Sequence, residues 1–409
     1  VGQTGSLDIT ITSPGAELTQ LEVILLQGDR QLPVFGLNAE GATQLVREGE
    51  NGLRLSASIG KRDIPELEAG PLIVQVDAVR PVLFGLREIG SQATREVEVR
   101  LIPPQAAIAS QFHYINHGGS EMVVYRVRPD DADSGVRVGE YEYPGYPASG
   151  AGIANADPGM RVVFFALLWD QDVNTPISLY ARDEVGNESR ASFDYRVFPK
   201  AFRNSRITID DRFLQKVVPD ILYNTTDFKV ADPSNLLDSY LSINRDLRRQ
   251  NNARISAMAA GTAPEILWSG AFRQLTNSAV EAGFADQRTY VYQGKDVDNQ
   301  VHLGFDLAST SNAPVQASNS GRVIFAGWLG IYGNCVIVDH GMGLQSLYAH
   351  LSGIDVSVGD NVEKGGTLGL SGQTGLAGGD HLHFTMLLGG NAITPIDWWS
   401  QQWVDDRVM

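Results

Sequence analysis

The chain has a single cysteine, Cys335, among 409 residues, so no disulfide can form within it. Its setting in NCVIVD is that of a small buried apolar residue. Positive charge is also scarce. Lys and Arg number 32 against 48 Asp and Glu, a net charge of −16. A basic stripe able to follow a phosphate backbone is excluded, and nucleic acid with it. No stretch reaches the eighteen or so consecutive apolar residues of a membrane span. HExxH is missing, so that motif places no glutamate base. The glycine-rich stretch Gly365 to Gly379 is not followed by GK[ST] or by a strand-to-helix transition, which rejects a phosphate-binding loop. Hydrophobic residues at 43% are enough for folded cores, and the length is too great for one, so two to four domains are expected.

Chemistry concentrates near the C-terminal end. His302 and Asp306 stand in VHLGFD, His350 in LYAHL, and His381 and His383 in DHLHF. Two imidazoles and a carboxylate are a common zinc-ligand set, and three protein ligands leave a fourth position for water. In HLH the two histidines are i and i+2. On a strand they share a face, about 7 Å apart at Cα, while Leu382 points the other way. His302 and Asp306 are i and i+4. A straight strand would hold them roughly 13 Å apart. Gly304 between them permits a bend, and the β-branched and aromatic neighbours predict a bent extended segment instead of a helix. An H-x-H or an HxxxD alone is a weak signal. The two in this order, with His350 between them, are far more specific. Of the other histidines, His340 in VIVDHGMG is expected to be structural. His113 and His117 in FHYINHGG lack a third ligand and are expected in a polar loop. Tyr332 and Trp328 are candidates to line a groove.

Residues from about 285 to 398 resemble the lysostaphin/LytM-type zinc metallopeptidases, which cut peptide bonds in bacterial peptidoglycan. The resemblance runs through VHLGFDLASTSNAPVQASNSGRVIFAG, YGNCVIVDHGMGLQSLYAHLSGIDVSVGDNVEKGGTLGLSGQTG and GGDHLHFTMLLGGNAITPIDWW. It implies an antiparallel-β catalytic domain holding one zinc ion on His302, Asp306 and His383. It further implies that His350 and His381 are the catalytic histidines, activating water and stabilising the transition state. Zinc suits a mixed His and carboxylate tetrahedral site, although cobalt or nickel also bind such donors. The family's defining positions are filled. Ser309 and Thr310 replace the Ala-Pro type of turn common among relatives, a departure that concerns loop shape alone. The implied partners are peptidoglycan peptides, in an exported envelope protein, with the periplasm as the expected compartment. A signal or anchor is expected to lie outside this sequence, which begins at Val1. The alternative is a non-catalytic relative that activates or scaffolds another wall hydrolase.

Upstream, residues 1–103 alternate as short strands: LDITIT, LEVILL, LRLSAS, LIVQV and REVEVRL. They predict an immunoglobulin-like β-sandwich ending at Pro103 and Pro104. Residues 104–199 repeat the style in EMVVYRVRP, MRVVFFALLW, ISLYARDEVGNES and ASFDYRVF and predict a second. These sandwiches are candidate docking modules for other envelope proteins. Residues 200–284 predict a helical linker. One helix is expected in DDRFLQKVV, ending before Pro219. A second is expected from Asp232 as N-cap and Pro233 as first residue, with Arg245, Arg248 and Arg249 near its C-terminal end. This linker is expected to pack over the catalytic groove and gate it, making the enzyme latent. The catalytic domain then occupies residues 285–409.

Overall fold

A computed structural model describes residues 1–14, 17–37, 44–49 and 51–408. The protein is mainly β. It divides into two compact units, one of residues 1–106, 127–134 and 180–190, the other of 107–126, 135–179 and 191–409.

The first unit is built from two antiparallel sheets. One has the order Ser6–Thr12, Gly52–Ser58, Gln44–Glu48. The other has Arg30–Gly36, Gln20–Gln27, Gly70–Val82, Arg87–Val99. Alternation in QLEVILLQ buries Leu21, Val23 and Leu25, and residues of both sheets meet in a core with Leu55, Leu72 and Val74. The strand Arg30–Gly36 has no clear signal in the sequence. Pro33 interrupts it, and an edge position tolerates the missing N–H.

In the second unit, Ser120–Arg128 pairs with Met160–Ala166 over buried Val123, Val162, Val163 and Phe165. FHYINHGG is a loop only in part, His117 standing in a turn with Nε2 on the Gln171 carbonyl. His113–Asn116 is a strand, and His113 is buried, with Nδ1 donating to the Asp194 carbonyl. This β section is locked to the chain's C-terminal end. Trp398 Nε1 donates to Ser120 Oγ at 3.0 Å, and Asn116 Nδ2 donates to Asp397 Oδ1 at 2.9 Å. Thr394 N donates to the Gly118 carbonyl at 2.7 Å.

Two buried carboxyls sit in this contact. Burial pushes Glu121 up to about 7, against hydrogen bonds from Met122 N and Tyr114 N, and pushes Asp397 up to about 6. A carboxyl raised in the folded state adds stability below its unfolded pKa and loses it as pH climbs through the folded value. Glu121→Gln is therefore expected to flatten the fall in stability between pH 5 and pH 8 by on the order of 3 kcal/mol. Melting curves of parent and variant at both pH values check this, and parallel pH dependences would refute it.

The linker differs from its expected form in four respects. The helix Asp211–Asn224 runs through Pro219, because Leu214, Val217, Val218 and Ile221 bury one continuous face that outweighs the lost hydrogen bond. The next helix starts at Leu236 under an Asn235 cap, while the Asp232 carboxylate is turned onto Ser234. That helix does not end near the arginines. A π-helical turn, Ile243–Leu247, carries it into Arg248–Met258, leaving Arg245 and Arg248 in mid-course. The linker also contributes a strand, Asn204–Ile209, lying parallel to Asp286–Tyr292. Its apolar residues share one core with Tyr290 and Ile331.

The C-terminal sheet has the order Ala279–Ala282, Phe305–Ala308, Leu382–Leu388, Leu344–Leu351, Asn334–Gly341, Gly321–Trp328, Asn361–Val362. Its centre, Leu344–Leu351, is buried throughout, which explains a nearly continuous apolar sequence. Cys335 is fully buried here, and burial pushes its thiol far up. Trp328 is not among the residues lining the pocket at the histidines, and its Nε1 donates to Thr225 Oγ1 at 3.0 Å.

Candidate metal centre and active-site pocket

Strand register brings the distant motifs together. Asp306 lies directly opposite His383 on the neighbouring strand, and His383 lies opposite Ala349 on its other side. Opposed residues have Cβ atoms about 5 Å apart, so Asp306 and His383 meet without any loop having to order. His302 closes the strand Lys295–His302, and the chain breaks at Leu303–Gly304 before Asp306. A Cβ on Gly304 would lie 2.6 Å from the His383 ring, so only glycine allows this approach. His350, one residue past Ala349, adopts a left-handed backbone (φ 63°) that turns it out of the strand's alternation.

Three donor atoms converge. His302 Nε2 is 2.9 Å from Asp306 Oδ1 and 3.0 Å from His383 Nδ1, and His383 Nδ1 is 3.0 Å from Asp306 Oδ1. A tetrahedral ion with bonds of about 2.1 Å holds its ligands about 3.4 Å apart, close to this spacing. The donor set and its geometry fit one divalent ion. His381 Nε2 approaches Asp306 Oδ1 at 3.5 Å, and the His350 ring lies 5.0 Å from His381 and 5.7 Å from His383. All five residues singled out by sequence thus share one site. His340 does not. It is buried elsewhere, with Nδ1 donating to the Ser320 carbonyl and Nε2 facing Ser346 Oγ.

The outer nitrogen of each ring has a hydrogen-bond partner that favours one tautomer. His302 Nδ1–H donates to the Gly283 carbonyl at 3.0 Å, which leaves Nε2 bare. The Thr385 hydroxyl donates to the Leu303 carbonyl, so its oxygen accepts from His383 Nε2–H at 3.0 Å and leaves Nδ1 bare. His350 Nδ1–H donates to the Thr374 carbonyl at 2.8 Å and His381 Nδ1–H to the Gly379 carbonyl at 2.9 Å. In its neutral form each ring thus directs its other nitrogen, free of a proton, away from these partners. Such outer partners set ring orientation and ligand strength. Thr385→Val, which keeps the shape and removes the acceptor, is expected to lower metal affinity about 10- to 100-fold. Competition against a chelator measures it, and unchanged affinity would remove Thr385 from this role.

Burial holds His383 down to about 4 and His350 well below the usual imidazole range, so both are neutral. Burial also opposes charge on His381, but its hydrogen bond to Asp306 and that residue's charge outweigh it, and the net shift is upward. Burial likewise disfavours the Asp306 carboxylate, yet the surrounding histidines hold it well below the ordinary range.

Motif spacing missed Arg288. Its guanidinium donates to Asp306 Oδ2 at 3.1 Å and Asp286 Oδ2 at 3.3 Å, leaving Oδ1 of Asp306 to face the imidazoles. The only sequence signal is alternation in DQRTYVY, which puts Asp286 and Arg288 on one face. The pocket around the centre measures about 320 Å³. Tyr332 lines it, its ring 5.7 Å from His383, beside Ile209, Asp210 and Phe213 of the linker. Lys216 Nζ donates to Gln373 Oε1 at 2.8 Å and to the carbonyls of Ala377 and Gly378. The linker is thus a wall of the pocket, tied to the loop that leads to His381.

Residues 300–395 match the model of Peptidase family M23. Over 97 residues the chain is 39% identical to the DD-carboxypeptidase/endopeptidase Mpg of Neisseria meningitidis, covering 24% of this chain and 22% of Mpg. Over 95 residues it is 38% identical to the murein hydrolase activator EnvC of Escherichia coli, covering 23% of each. The chain thus spans under a quarter of the length of these curated relatives. The catalytic domain of lysostaphin from Staphylococcus simulans is 28% identical, with 32% of this chain and 98% of that domain covered at a TM-score of 0.28. The C-terminal part of the chain carries a Peptidase family M23 domain with lysostaphin-type neighbours.

Proposed function

We propose that this protein is a zinc-dependent endopeptidase that hydrolyses peptide bonds of bacterial peptidoglycan, in cross-links or stem peptides. One observation carries the reading: three potential ligand atoms, on His302, Asp306 and His383, meet within hydrogen-bond distance in a pocket that also holds His350 and His381. Zinc bound there supplies Lewis acidity, polarising a carbonyl and acidifying water. The chain's residues do the rest. Arg288 fixes the Asp306 carboxylate. His350 and His381, each with its Nδ1 proton spent on a carbonyl, take the proton of the attacking water and return it to the departing nitrogen. An imidazolium formed this way hydrogen-bonds the developing oxyanion.

The competing reading is a non-catalytic module that activates another wall hydrolase, and the name of the relative EnvC favours considering it. The filled donor set supports the enzyme instead. Digestion of purified wall fragments, followed by mass analysis, separates the two. An enzyme releases peptides whose masses name the bond, whereas an activator releases none without a partner hydrolase. We place the protein outside the cytoplasmic membrane, in the periplasm, with residues 285–409 as the catalytic domain. The β-sandwiches are read as docking modules for envelope proteins.

The linker wall supports latency. Lys216 ties the helix Asp211–Asn224 to the loop before His381, and we propose that this contact must shift before a wall peptide reaches the centre fully. Lys216→Met is expected to raise the rate of wall digestion. An unchanged rate would make the wall a fixed part of the substrate site.

A further inference from the structure

Two guanidiniums line the pocket, and they differ in one respect. Arg288 is engaged by Asp286 and Asp306. Arg248 has no carboxylate partner among the described residues. Its Nε donates to the Asn244 carbonyl at 3.1 Å and its Nη2 to Asn244 Oδ1 at 2.6 Å. Asn244 is fully buried and is itself held, Nδ2 donating to Asp298 Oδ2 at 2.8 Å. Asp298 is anchored in turn by Arg245 Nε at 2.8 Å. The Arg248 guanidinium is therefore aimed by a buried relay while it makes no ion pair among the described residues.

The backbone beneath it is unusual as well. Arg248 directly follows the π-helical turn Ile243–Leu247, and such turns are rare and concentrate at functional sites. The turn widens the helix where Asn244 and Arg248, an i and i+4 pair, share a face. Arg248 lies close enough to Tyr332 for its charge to act on the phenol, and the Tyr332 ring packs against His383. The only other carboxylate lining the pocket besides Asp306, among the described residues, is Asp210, which accepts from Phe213 N as a helix cap.

A fixed guanidinium with unspent donors in a peptide-sized pocket matches a carboxylate, which it binds through two parallel hydrogen bonds. We propose that Arg248 is a specificity-determining residue that recognises a free carboxylate on the peptide, beside the bond presented to His302, Asp306 and His383. This inference rests on the endopeptidase reading and narrows its substrates to acidic peptides. Peptides amidated at that carboxylate, or bridges of glycine alone, lack the group Arg248 reads.

The test uses the zinc-loaded full chain and two cross-linked wall peptides, one with the free carboxylate and one with a primary amide in its place. Wild type is expected to show a KM lower by about tenfold or more for the carboxylate peptide, the scale of one charge-assisted hydrogen-bonded pair. Arg248→Gln is expected to erase that preference by raising KM for the carboxylate peptide alone, with kcat and zinc content unchanged. Arg248→Lys is expected to restore part of it. Calorimetric binding of the corresponding hydrolysed fragments gives a readout independent of turnover. Binding that keeps the carboxylate preference without any hydrolysis would overturn the endopeptidase reading and uphold Arg248. Hydrolysis of both peptides at equal KM by wild type would uphold the endopeptidase and overturn Arg248. So would a variant that loses both peptides alike.

Discussion

His302→Ala is expected to abolish peptide hydrolysis by removing the metal. The substitution leaves Asp306 and His383 as a pair, and two donors hold a divalent ion far more weakly than three. Loss of an outer hydrogen-bond partner typically weakens metal binding about 10- to 100-fold, so loss of a direct donor should exceed that range. The fold should survive. His302 ends a strand, and its ring makes one backbone contact, to the Gly283 carbonyl. The expected result is a protein that melts cooperatively, carries no stoichiometric zinc after dialysis and releases no peptide from wall fragments. Full zinc content in the variant would mean that His302 is not a donor. Undiminished hydrolysis would mean that the chemistry lies elsewhere.

The second large effect separates proton transfer from metal binding. His350→Ala and His381→Ala are each expected to lower kcat by about 10² to 10⁴, the usual contribution of a positioned acid or base. Zinc content should stay full, because the close donor triad consists of His302, Asp306 and His383. KM should move little, since the contribution is realised in the transition state. The two variants need not be equal. His350 is deeply buried and held neutral, whereas His381 sits beside the Asp306 carboxylate and is shifted upward. Turnover assays run beside metal analysis decide the matter. Zinc lost in step with activity would recast either residue as a ligand.

These expectations draw unequally on sequence and structure. The five residues that share the pocket were legible as a group because their chemistry is rare and their spacing is short. H-x-H and HxxxD keep their meaning whichever strands carry them. The β character of residues 1–103 was equally legible, since alternation such as that in QLEVILLQ directly reports a half-buried strand. The linker was read less well. Pro219 stops a helix in isolation, yet Leu214, Val217, Val218 and Ile221 gain more from burial than the helix loses at that residue. Local capping rules chose Asp232, and Asn235 took the cap because its side chain reaches Asp238 N. His113 was misjudged for a related reason. A histidine with Asn116, Gly118 and Gly119 close behind it looks like part of a loop until a parallel strand, Tyr195–Phe198, pairs with it.

Sequence alone singled out side chains whose atoms could hold an ion or move a proton, because side-chain chemistry belongs to residue type. It also determined that the chain is mostly strands, because a period of two survives any arrangement of sheets. Only the tertiary structure decided which residues share the pocket with those atoms. Arg288 and Asp306 are 18 positions apart, Arg248 and Tyr332 far more, and no local pattern links either pair. Their meeting depends on strand register, a parallel pairing contributed by the linker, and a π-helical turn. Each of these arises from the summed burial of many side chains, and no short stretch of sequence contains that sum.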